Sequence, residues 1–305
     1  MADNDSTLVI GAGELGLAVI QSLAATKTSS SSLTALLRPS QNPNRQQLLS
    51  QLESLDVRVV YGDVAADSAE AVSSLLRGYA TVISCIGFSA GRGTQIKIAR
   101  AALTAGVPRY IPWQFGVDYD VIGRGSPQDL FDEQLDVRDL LRGQTQTLWK
   151  IVSTGMFTSF LFEKEFGVVD LEEGVCRALG SWDTAVTVTR PEDIGRLTAM
   201  VVQEKWESSG VVYTAGDTIT YRALADAVEK ALGKEISRDV WTVEKLKEEL
   251  RDEPENGMKK YRAVFALGNG VSWPIEGSYN HRRGIPMEDV ESWLQGHLPG
   301  STRDT

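Results

Sequence analysis

A glycine-rich segment near the amino terminus has the spacing of a dinucleotide-binding loop. Gly11, Gly13 and Gly16 form a Gly-x-Gly-x-x-Gly pattern directly after an apolar run and directly before an amphipathic stretch. The first glycine permits a tight turn, the second lets backbone N–H groups approach a pyrophosphate, and the third allows close helix–strand packing. The phosphates would lie at a helix amino terminus, which favours anions. We therefore predict a dinucleotide site that also includes Glu14 and Leu15.

The end of the second predicted strand indicates which dinucleotide would bind. An NAD-binding chain usually has a carboxylate there, which accepts hydrogen bonds from the adenosine ribose. This chain has Arg38 at that position, followed by Pro39 and Ser40. Because a guanidinium pairs with the additional phosphate of NADP, we predict NADPH as the cofactor and Arg45 as a second cation. The alternative is that both arginines are solvated surface residues.

The elements that would position this loop alternate along the first half of the chain. Short β-branched apolar runs alternate with longer amphipathic segments, which is typical of β-α-β units and a parallel sheet. Right-handed crossovers then place helices on both faces, so we predict an α/β fold with a doubly wound parallel sheet of the Rossmann type. The predicted strands are Thr7–Ile10, Leu33–Leu37, Val57–Tyr61, Thr81–Cys85, Tyr110–Pro112 and Leu148–Val152, and the predicted helices are Glu14–Ala25, Arg45–Ser54, Ser68–Leu76, Gln95–Ala105 and Asp129–Leu141.

Three further residues follow predicted strands at the edge where such folds bind ligands. Asp63 comes after the third strand, and Ile86 and Gly87 come after the fourth. Ligands of doubly wound folds bind beyond the carboxyl ends of the strands. We therefore assign these residues to the cofactor site.

The pattern of the chain changes after about residue 155. Two short apolar segments flank an acidic glycine turn and predict a hairpin, and a later segment is predicted to return to the main sheet. We predict an NADP(H)-binding domain over residues 1–155, with about 185–214 returning to it, and a smaller α+β substrate lobe over 156–305. The hairpin strands are Gly167–Asp170 and Val175–Leu179, the returning strand is Val211–Tyr213, and further helices are expected at Pro191–Val202, Tyr221–Leu232 and Val243–Glu253.

Composition excludes several classes of function. The 305 residues carry a formal net charge of -10, which disfavours binding to nucleic acids and to anionic membrane surfaces. No apolar stretch approaches the ~20 residues of a membrane span, and the first residues do not form a signal peptide pattern. We expect a cytoplasmic monomer or homodimer. We expect no metal site, because Cys85, Cys176, His281 and His297 form no ligand pattern.

Residues 95–116, with the sequence QIKIARAALTAGVPRYIPWQFG, resemble the core of the isoflavone-reductase-like and NmrA-like family. These proteins are atypical relatives of the short-chain dehydrogenases, and fungal members are common. The similarity continues in Val152–Phe157, Pro191–Arg196 and Gly284–Pro286, so it covers nearly the whole chain. The resemblance implies an NADPH-binding Rossmann domain, a small substrate lobe, and reduction of aromatic or enone-like secondary metabolites. The family contains both enzymes and non-enzymes.

The chain departs from the family pattern at two places. The reductases generally have Ser-Glu between the proline and Phe-Gly, where this chain has Trp113 and Gln114. The lysine that the family uses near the nicotinamide lies in a Lys-x-x-Ile/Val-Arg motif, and the matching stretch runs from Gln134 to Arg138. Since the lysine position is a glutamine, we infer an atypical proton donor.

Gln134 interrupts an apolar stripe of its predicted helix, formed by Leu130, Val137 and Leu141. Burial of an amide without hydrogen bonds costs on the order of 1–3 kcal/mol. Either the helix turns Gln134 toward solvent, or the amide faces a polar ligand cavity. A carboxamide can orient a carbonyl or a water, but it cannot supply the proton that ketone reduction requires. We therefore assign Gln134 the role of polarising or positioning the acceptor.

Two other polar residues follow the fifth predicted strand. Tyr119 has a phenol and Asp118 has a carboxylate, and both lie beyond the carboxyl end of that strand. We treat them as catalytic candidates with Gln134, with Tyr119 or a water as the proton source. The alternative is that both are ordinary loop residues.

Aromatic and sulfur-containing side chains gather at the same predicted edge. They predict an apolar pocket for a large, flat, hydrophobic small molecule. For Phe157 the helical spacing also allows a plain core role. The predicted pocket residues are Phe88, Trp113, Gln114, Phe115, Met156 and Phe157.

Three functions are compatible with these residues. The first is an NADPH-dependent reductase of a hydrophobic enone, ketone or aromatic molecule, with an atypical proton donor. The second is a non-catalytic NADP(H)-sensing regulator that binds a protein partner, which the loss of the lysine favours and the aromatic pocket disfavours. The third is a redox-assisted cyclisation or rearrangement in natural-product biosynthesis, in which the cofactor is regenerated.

Overall fold

The computed structural model describes residues 5–40 and 45–298. Its chain divides into two compact units, and each unit consists of three separate segments. The first unit comprises Met1–Phe115, Glu133–Val152 and Ile194–Val212, and the second comprises Gly116–Asp132, Ser153–Asp193 and Tyr213–Thr305.

The described residues contain both strands and helices along their whole length. No helix among them is long and apolar enough to cross a membrane. The strands are β1 Ser6–Ile10, β2 Ser32–Leu37, β3 Arg58–Tyr61, β4 Thr81–Ser84, β5 Arg109–Ile111, β6 Leu148–Ser153, β7 Met156–Phe157, β8 Val169–Asp170, β9 Val175–Leu179, β10 Ala185–Thr189, β11 Gly210–Tyr213, β12 Asp217–Thr220 and β13 Ser237–Trp241. The helices are α1 Glu14–Thr26, α2 Arg45–Ser54, α3 Ala69–Leu76, α4 Thr94–Ala105, α5 Tyr119–Ile122, α6 Leu130–Arg142, α7 Pro191–Gln203, α8 Tyr221–Leu232, α9 Val243–Asp252, α10 Gly257–Ala266, α11 Tyr279–Arg282 and α12 Val290–His297.

The first unit is built on a seven-stranded sheet in the order β11-β6-β5-β4-β1-β2-β3. The pairs β1–β2, β1–β4, β2–β3, β4–β5 and β5–β6 are all parallel. The chain adds strands on one side of β1 and then on the other, so the order reverses between β1 and β4. This is the topological switch point at which doubly wound folds bind their ligands. The predicted doubly wound parallel sheet is therefore confirmed.

The core of the first unit explains why the alternation of apolar runs and amphipathic segments predicted its strands and helices. β1 is buried along its whole length, as are the four residues of β4, because helices cover both faces of a parallel sheet. Apolar residues of α3, α4 and α6 pack with these strands in one cluster, which includes Val72, Ile98 and Val137. The six strands and five helices predicted for the first half all form, and their ends differ from the prediction by at most one residue.

The second unit contains two small three-stranded sheets. The predicted hairpin forms, since β8 and β9 pair in antiparallel fashion, and β13 joins β9 in parallel. In the other sheet, β10 pairs with β12 in antiparallel fashion and with β7 in parallel. The predicted helices α8 and α9 also form in this unit, and the predicted helix α7 forms mostly in the first unit. The sequence analysis did not predict β7, β10, β12 or β13, which are short and pair with segments that are distant in sequence.

One glycine of the second unit occupies a position that no other residue fits. Gly155, between β6 and β7, has a positive φ of 74°, and a Cβ at this position would overlap the backbone carbonyl of Thr187 in β10. Its amide donates a hydrogen bond to the carbonyl of Gly116 at 3.0 Å. The close approach of two backbone segments therefore depends on the missing side chain.

We predict that Gly155→Ala destabilises the protein much more than Gly174→Ala. Both glycines have positive φ, where an L side chain costs ~1–2 kcal/mol. Only at Gly155 does the added methyl meet backbone atoms, which adds ~1–3 kcal/mol, whereas at Gly174 the nearest atom is Cε of the flexible Lys234 side chain at 3.4 Å. Urea unfolding of the two variants measures the difference. Equal loss of stability in both variants would contradict the steric explanation.

Candidate active site

A cavity of about 580 Å³ opens at the carboxyl ends of the central strands of the first unit. It is lined by the residues that follow β1, β2, β3 and β4, so it lies at the switch point of the sheet. Glu14, Leu15 and Gly16 do not line it. The predicted cofactor-binding residues that do line it are Gly11, Gly13, Arg38, Arg45, Asp63, Ile86 and Gly87.

The three glycines of the loop have three different structural roles. Gly11 has a positive φ of 89°, which turns the chain out of β1. A Cβ at Gly16 would overlap the carbonyl oxygen of Gly11, so helix α1 can start this close to the strand only without a side chain there. Gly13 caps α1 without any side-chain hydrogen bond, and a Cβ there would meet no atom within 4 Å. The first N–H groups of α1 therefore face open space that suits a pyrophosphate.

The first turn of α1 presents backbone rather than side chains to this space. Leu15 is buried at 5% exposure in the core, and Glu14 is exposed. Because neither side chain lines the cavity, we expect any contribution of these two residues to ligand binding to come from their N–H groups.

Two arginines stand at the end of the cavity that follows β2. Arg45 Nη2 donates a hydrogen bond to the carbonyl oxygen of Arg38 at 2.9 Å, and both residues line the cavity. Asp63 lies on the same wall, where its Oδ1 accepts hydrogen bonds from the N–H groups of Ala65 and Ala66 at 3.0 and 3.1 Å. This end of the cavity therefore has two cations that suit a phosphate. The carboxylate of Asp63 holds its own loop in place.

Residues that the sequence analysis did not assign to the site hold the loops around the cavity. Gln95, buried in the first turn of α4, donates a hydrogen bond from Nε2 to the carbonyl of Ile86 at 2.8 Å. Lys97 Nζ donates to the carbonyls of Ala65 and Asp67 at 2.7 and 3.0 Å. Both residues belong to the segment that carries the family resemblance, but their partners are distant in sequence and no local signal indicates them.

Cys85 lines the cavity with a neutral thiol. Burial raises the pKa of Cys85 well above its usual range, because the thiolate would be desolvated. The side chain therefore acts as a small apolar group and not as a nucleophile.

Two predicted pocket residues form an aromatic pair beside the cavity. The rings of Phe88 and Trp113 lie 4.6 Å apart in an edge-to-face arrangement, and both side chains are partly exposed. A Cβ at Gly87 would lie 3.2 Å from the Trp113 ring, so the indole packs directly on the loop that lines the cavity. Among the other predicted pocket residues, Phe115 is a buried residue of the first unit, and Met156 and Phe157 form β7 of the second.

Gln114 and Gln134 are both fully buried, and only one of them has protein partners for its amide. Gln114 Nε2 donates to the backbone carbonyl of Gln134 at 2.9 Å, and its Oε1 accepts from Arg138 Nε at 2.8 Å. Neither Nε2 nor Oε1 of Gln134 has a hydrogen-bond partner within the described part of the chain. Gln114 thus links Arg138 to the backbone of α6, and Gln134 retains one donor and one acceptor group for another molecule.

The carboxylate of Asp118 is hydrogen-bonded to other residues of the second unit. Its Oδ1 accepts hydrogen bonds from the N–H groups of Asp120 and Val121, which caps the short helix α5. Its Oδ2 accepts a hydrogen bond from the Tyr213 hydroxyl at 2.7 Å. An N-cap role accounts for this aspartate without any catalytic function.

Tyr119 is buried at 2% exposure. Its ring packs edge-to-face against Phe131 at a centroid distance of 4.9 Å. The phenol is therefore part of the interior of the second unit. Across residues 5–40 and 45–298 no group of three or more His, Cys, Asp or Glu side chains is arranged to hold a metal ion.

Comparison with known proteins agrees with the fold. Residues 3–280 match the NmrA-like family. A relative from Gibberella moniliformis, described as an NmrA-like family domain-containing oxidoreductase, is 44% identical over 299 residues, which is 96% of this chain and 98% of that protein. The resemblance inferred from the sequence, including that to fungal members, is thereby confirmed.

Solved structures of reductases have the same fold. An isoflavone reductase superposes with a TM-score of 0.80 at 17% identity, covering 97% of this chain and all of that one. The complex of leucoanthocyanidin reductase from Vitis vinifera with NADPH gives a TM-score of 0.78 at 20% identity, covering 95% of this chain and 98% of that one. At these identities the comparison supports the fold alone.

The glycine loop gives a pair of variants that separates binding from folding. We predict that Gly13→Ala leaves stability nearly unchanged but weakens dinucleotide binding at least about tenfold, which corresponds to about 1.4 kcal/mol. Its methyl group would occupy the open space in front of α1. Gly16→Ala should instead destabilise the fold by about 1–3 kcal/mol, because its methyl meets the Gly11 carbonyl.

Thermal unfolding and calorimetric titration with NADPH measure both effects on the same samples. Unaltered NADPH affinity in Gly13→Ala would show that no phosphate approaches this loop.

Proposed function

Because this chain belongs to the NmrA-like family, we propose that it is an NADPH-dependent reductase of a hydrophobic small molecule that carries an enone or aryl ketone group. The observation that carries the proposal is the cavity at the switch point, with a bare helix amino terminus at its centre and two arginines at one end. We further propose that the substrate is a secondary metabolite and that the protein works in the cytoplasm as a monomer or homodimer.

The residues of the cavity suit each part of NADPH. The N–H groups at the start of α1 would hold the pyrophosphate, and Gly13 leaves space for it. Arg38 and Arg45 would bind the phosphate on the adenosine ribose. Asp63 would accept hydrogen bonds from the adenosine, and the loop of Ile86 and Gly87 would line the rest of the site. When bound, the nicotinamide supplies a hydride.

The proposed type of substrate is based on the aromatic pair Phe88 and Trp113. Phe88 and Trp113 are partly exposed next to the loop at Gly87, so a flat apolar molecule could pack against them and exclude water. A pocket with such walls favours aromatic or prenylated molecules over sugars or small acids.

Gln134 would position the acceptor through its unpartnered carboxamide. Its buried N–H and carbonyl groups cost on the order of 1–3 kcal/mol each without hydrogen bonds, and a carbonyl or water bound there would remove that cost. The amide holds no transferable proton, so we assign the proton to a water that Gln134 orients. Tyr119 and Asp118 are the other candidates, but packing of the Tyr119 ring on Phe131 and capping of α5 by Asp118 account for both side chains without catalysis.

One observation favours a second function, a nucleotide-sensing regulator. The buried face of α6 carries Gln134 and contacts Gln114, and neither carboxamide donates a proton readily, which a binding protein would not need. Such a protein would bind its partner with different affinities in the NADPH-bound and NADP-bound states. It would catalyse no turnover.

We predict that the purified protein oxidises NADPH in the presence of some members of a panel of enones and aryl ketones. The loss of the nicotinamide absorbance measures this oxidation, and a control contains the protein and NADPH alone. The product of each active reaction would then be identified. NADPH binding is measured separately by calorimetry. Tight NADPH binding without turnover on any substrate would contradict the reductase and favour the regulator.

We predict that Gln134→Lys raises kcat for simple aryl ketones by about tenfold or more, since a well-placed general acid contributes ~10²–10⁴-fold. The lysine would place an ammonium where the carboxamide now lies. The matched control is Gln146→Lys, which adds the same charge at an exposed position and should change nothing. A folded Gln134→Lys variant with unchanged or lower kcat, at undiminished NADPH affinity, would show that Gln134 does not face the reacting group.

A further inference from the structure

Tyr61 is an exposed aromatic residue at the edge of the candidate cofactor cavity. It is the last residue of β3, one of the two edge strands of the seven-stranded sheet, and 52% of its surface is exposed. The next two residues, Gly62 and Asp63, line the cavity. A single exposed tyrosine on a surface needs no explanation in itself. This one is notable because a charged side chain of the cavity lies over its ring.

The side chain that covers the ring is Arg45. Its Cζ lies 5.7 Å from the centre of the Tyr61 ring, which is within the range of a cation–π interaction. At the same time its Nη2 donates to the backbone carbonyl of Arg38 at 2.9 Å. The Arg45 guanidinium is therefore held by two groups, the backbone carbonyl of Arg38 and the aromatic face of Tyr61.

Both arginines keep donors for a ligand. Arg38 and Arg45 line the cavity, and within residues 5–40 and 45–298 neither side chain pairs with a carboxylate. A long side chain loses conformational freedom when it binds an anion, and contacts that fix it beforehand reduce that loss. Because the guanidinium has a planar set of donors, its orientation matters as much as its position.

We propose that Tyr61 is a positioning residue that makes the site select NADPH over NADH, by holding the Arg45 guanidinium ready for the phosphate on the adenosine ribose. The inference rests on the proposed function, since it assumes that the cavity binds the dinucleotide. Tyr61 acts through Arg45 and through its ring face, so its hydroxyl is not required. A direct stack of the adenine on Tyr61 is the competing arrangement, and it would serve both dinucleotides equally.

The test compares the binding of NADPH and NADH by calorimetric titration in the parent protein, Tyr61→Ala, Tyr61→Phe and Arg45→Gln. For Tyr61→Ala we expect NADPH affinity to fall about 3- to 5-fold, the range of an exposed cation–π contact, while NADH affinity stays unchanged. Tyr61→Phe should behave like the parent protein, because the aromatic face remains. In the double variant Tyr61→Ala with Arg45→Gln, the loss should equal that of Arg45→Gln alone. Val121→Ala, at another exposed apolar residue, serves as the control for surface truncation.

Each result has a distinct meaning. Equal loss of NADPH and NADH affinity in Tyr61→Ala would overturn the inference in favour of adenine stacking, and unchanged affinity for both would overturn it in favour of a passive surface ring. In either case the parent protein still binds NADPH, so the proposed function survives. If the parent protein binds neither dinucleotide, the proposed function fails as well.

Discussion

The close approach of helix α1 to the turn after β1 is the constraint on which the rest of the site depends. The helix can start there only because Gly16 has no Cβ to meet the Gly11 carbonyl. As a result, the unpaired N–H groups of its first turn lie at the centre of the sheet's carboxyl edge, between the loops that follow β2 and β4. A Cβ at Gly16 would move the helix away and separate the anion-binding groups from the walls around them.

The first turn of α4 joins those walls to one another. Gln95 and Lys97 bond to the loops after β4 and β3, and Glu133 accepts hydrogen bonds from the N–H groups of Gly93 and Ile96 at 2.9 and 3.1 Å. Glu133 directly precedes Gln134 in α6. The loops that would contact a dinucleotide and the helix that carries the candidate acceptor-positioning residue are thus connected through one short helix turn. A carboxylate at a helix amino terminus also stabilises α4 through its dipole.

The sequence predicted the parts of the site that depend on local patterns. The glycine spacing, the alternation of buried strands with amphipathic helices, and Arg38 at a strand end all follow from neighbouring residues. For Gln134 the apolar stripe left two orientations open, toward solvent or toward a ligand cavity, and the structure buries the side chain fully. The catalytic assignments of Gln134, Tyr119 and Asp118 remain predictions that the variants would test.

Interactions between distant segments were not predictable from the sequence. Gln114 was expected to line a pocket, yet both polar atoms of its side chain bond to α6, and nothing near it in sequence indicates those partners. The same holds for the Tyr213 hydroxyl on Asp118, 95 residues away in sequence. Such pairs depend on which backbone segments the fold brings together. Local propensity and periodicity do not contain that information.

The interleaved segments of the two units have a consequence for synthesis on the ribosome. The chain passes from one unit to the other after residues 115, 132, 152, 193 and 212. The first unit therefore cannot acquire its edge strand β11 until more than two thirds of the polypeptide has been translated. Between the synthesis of β6 and that of β11, the nascent chain carries an incomplete sheet in which β6 lacks its outer neighbour, a state in which exposed strands are prone to pair with other chains. Nor can either unit be exchanged between homologues as one contiguous piece of gene, so recombination within this family would have to preserve all five junctions.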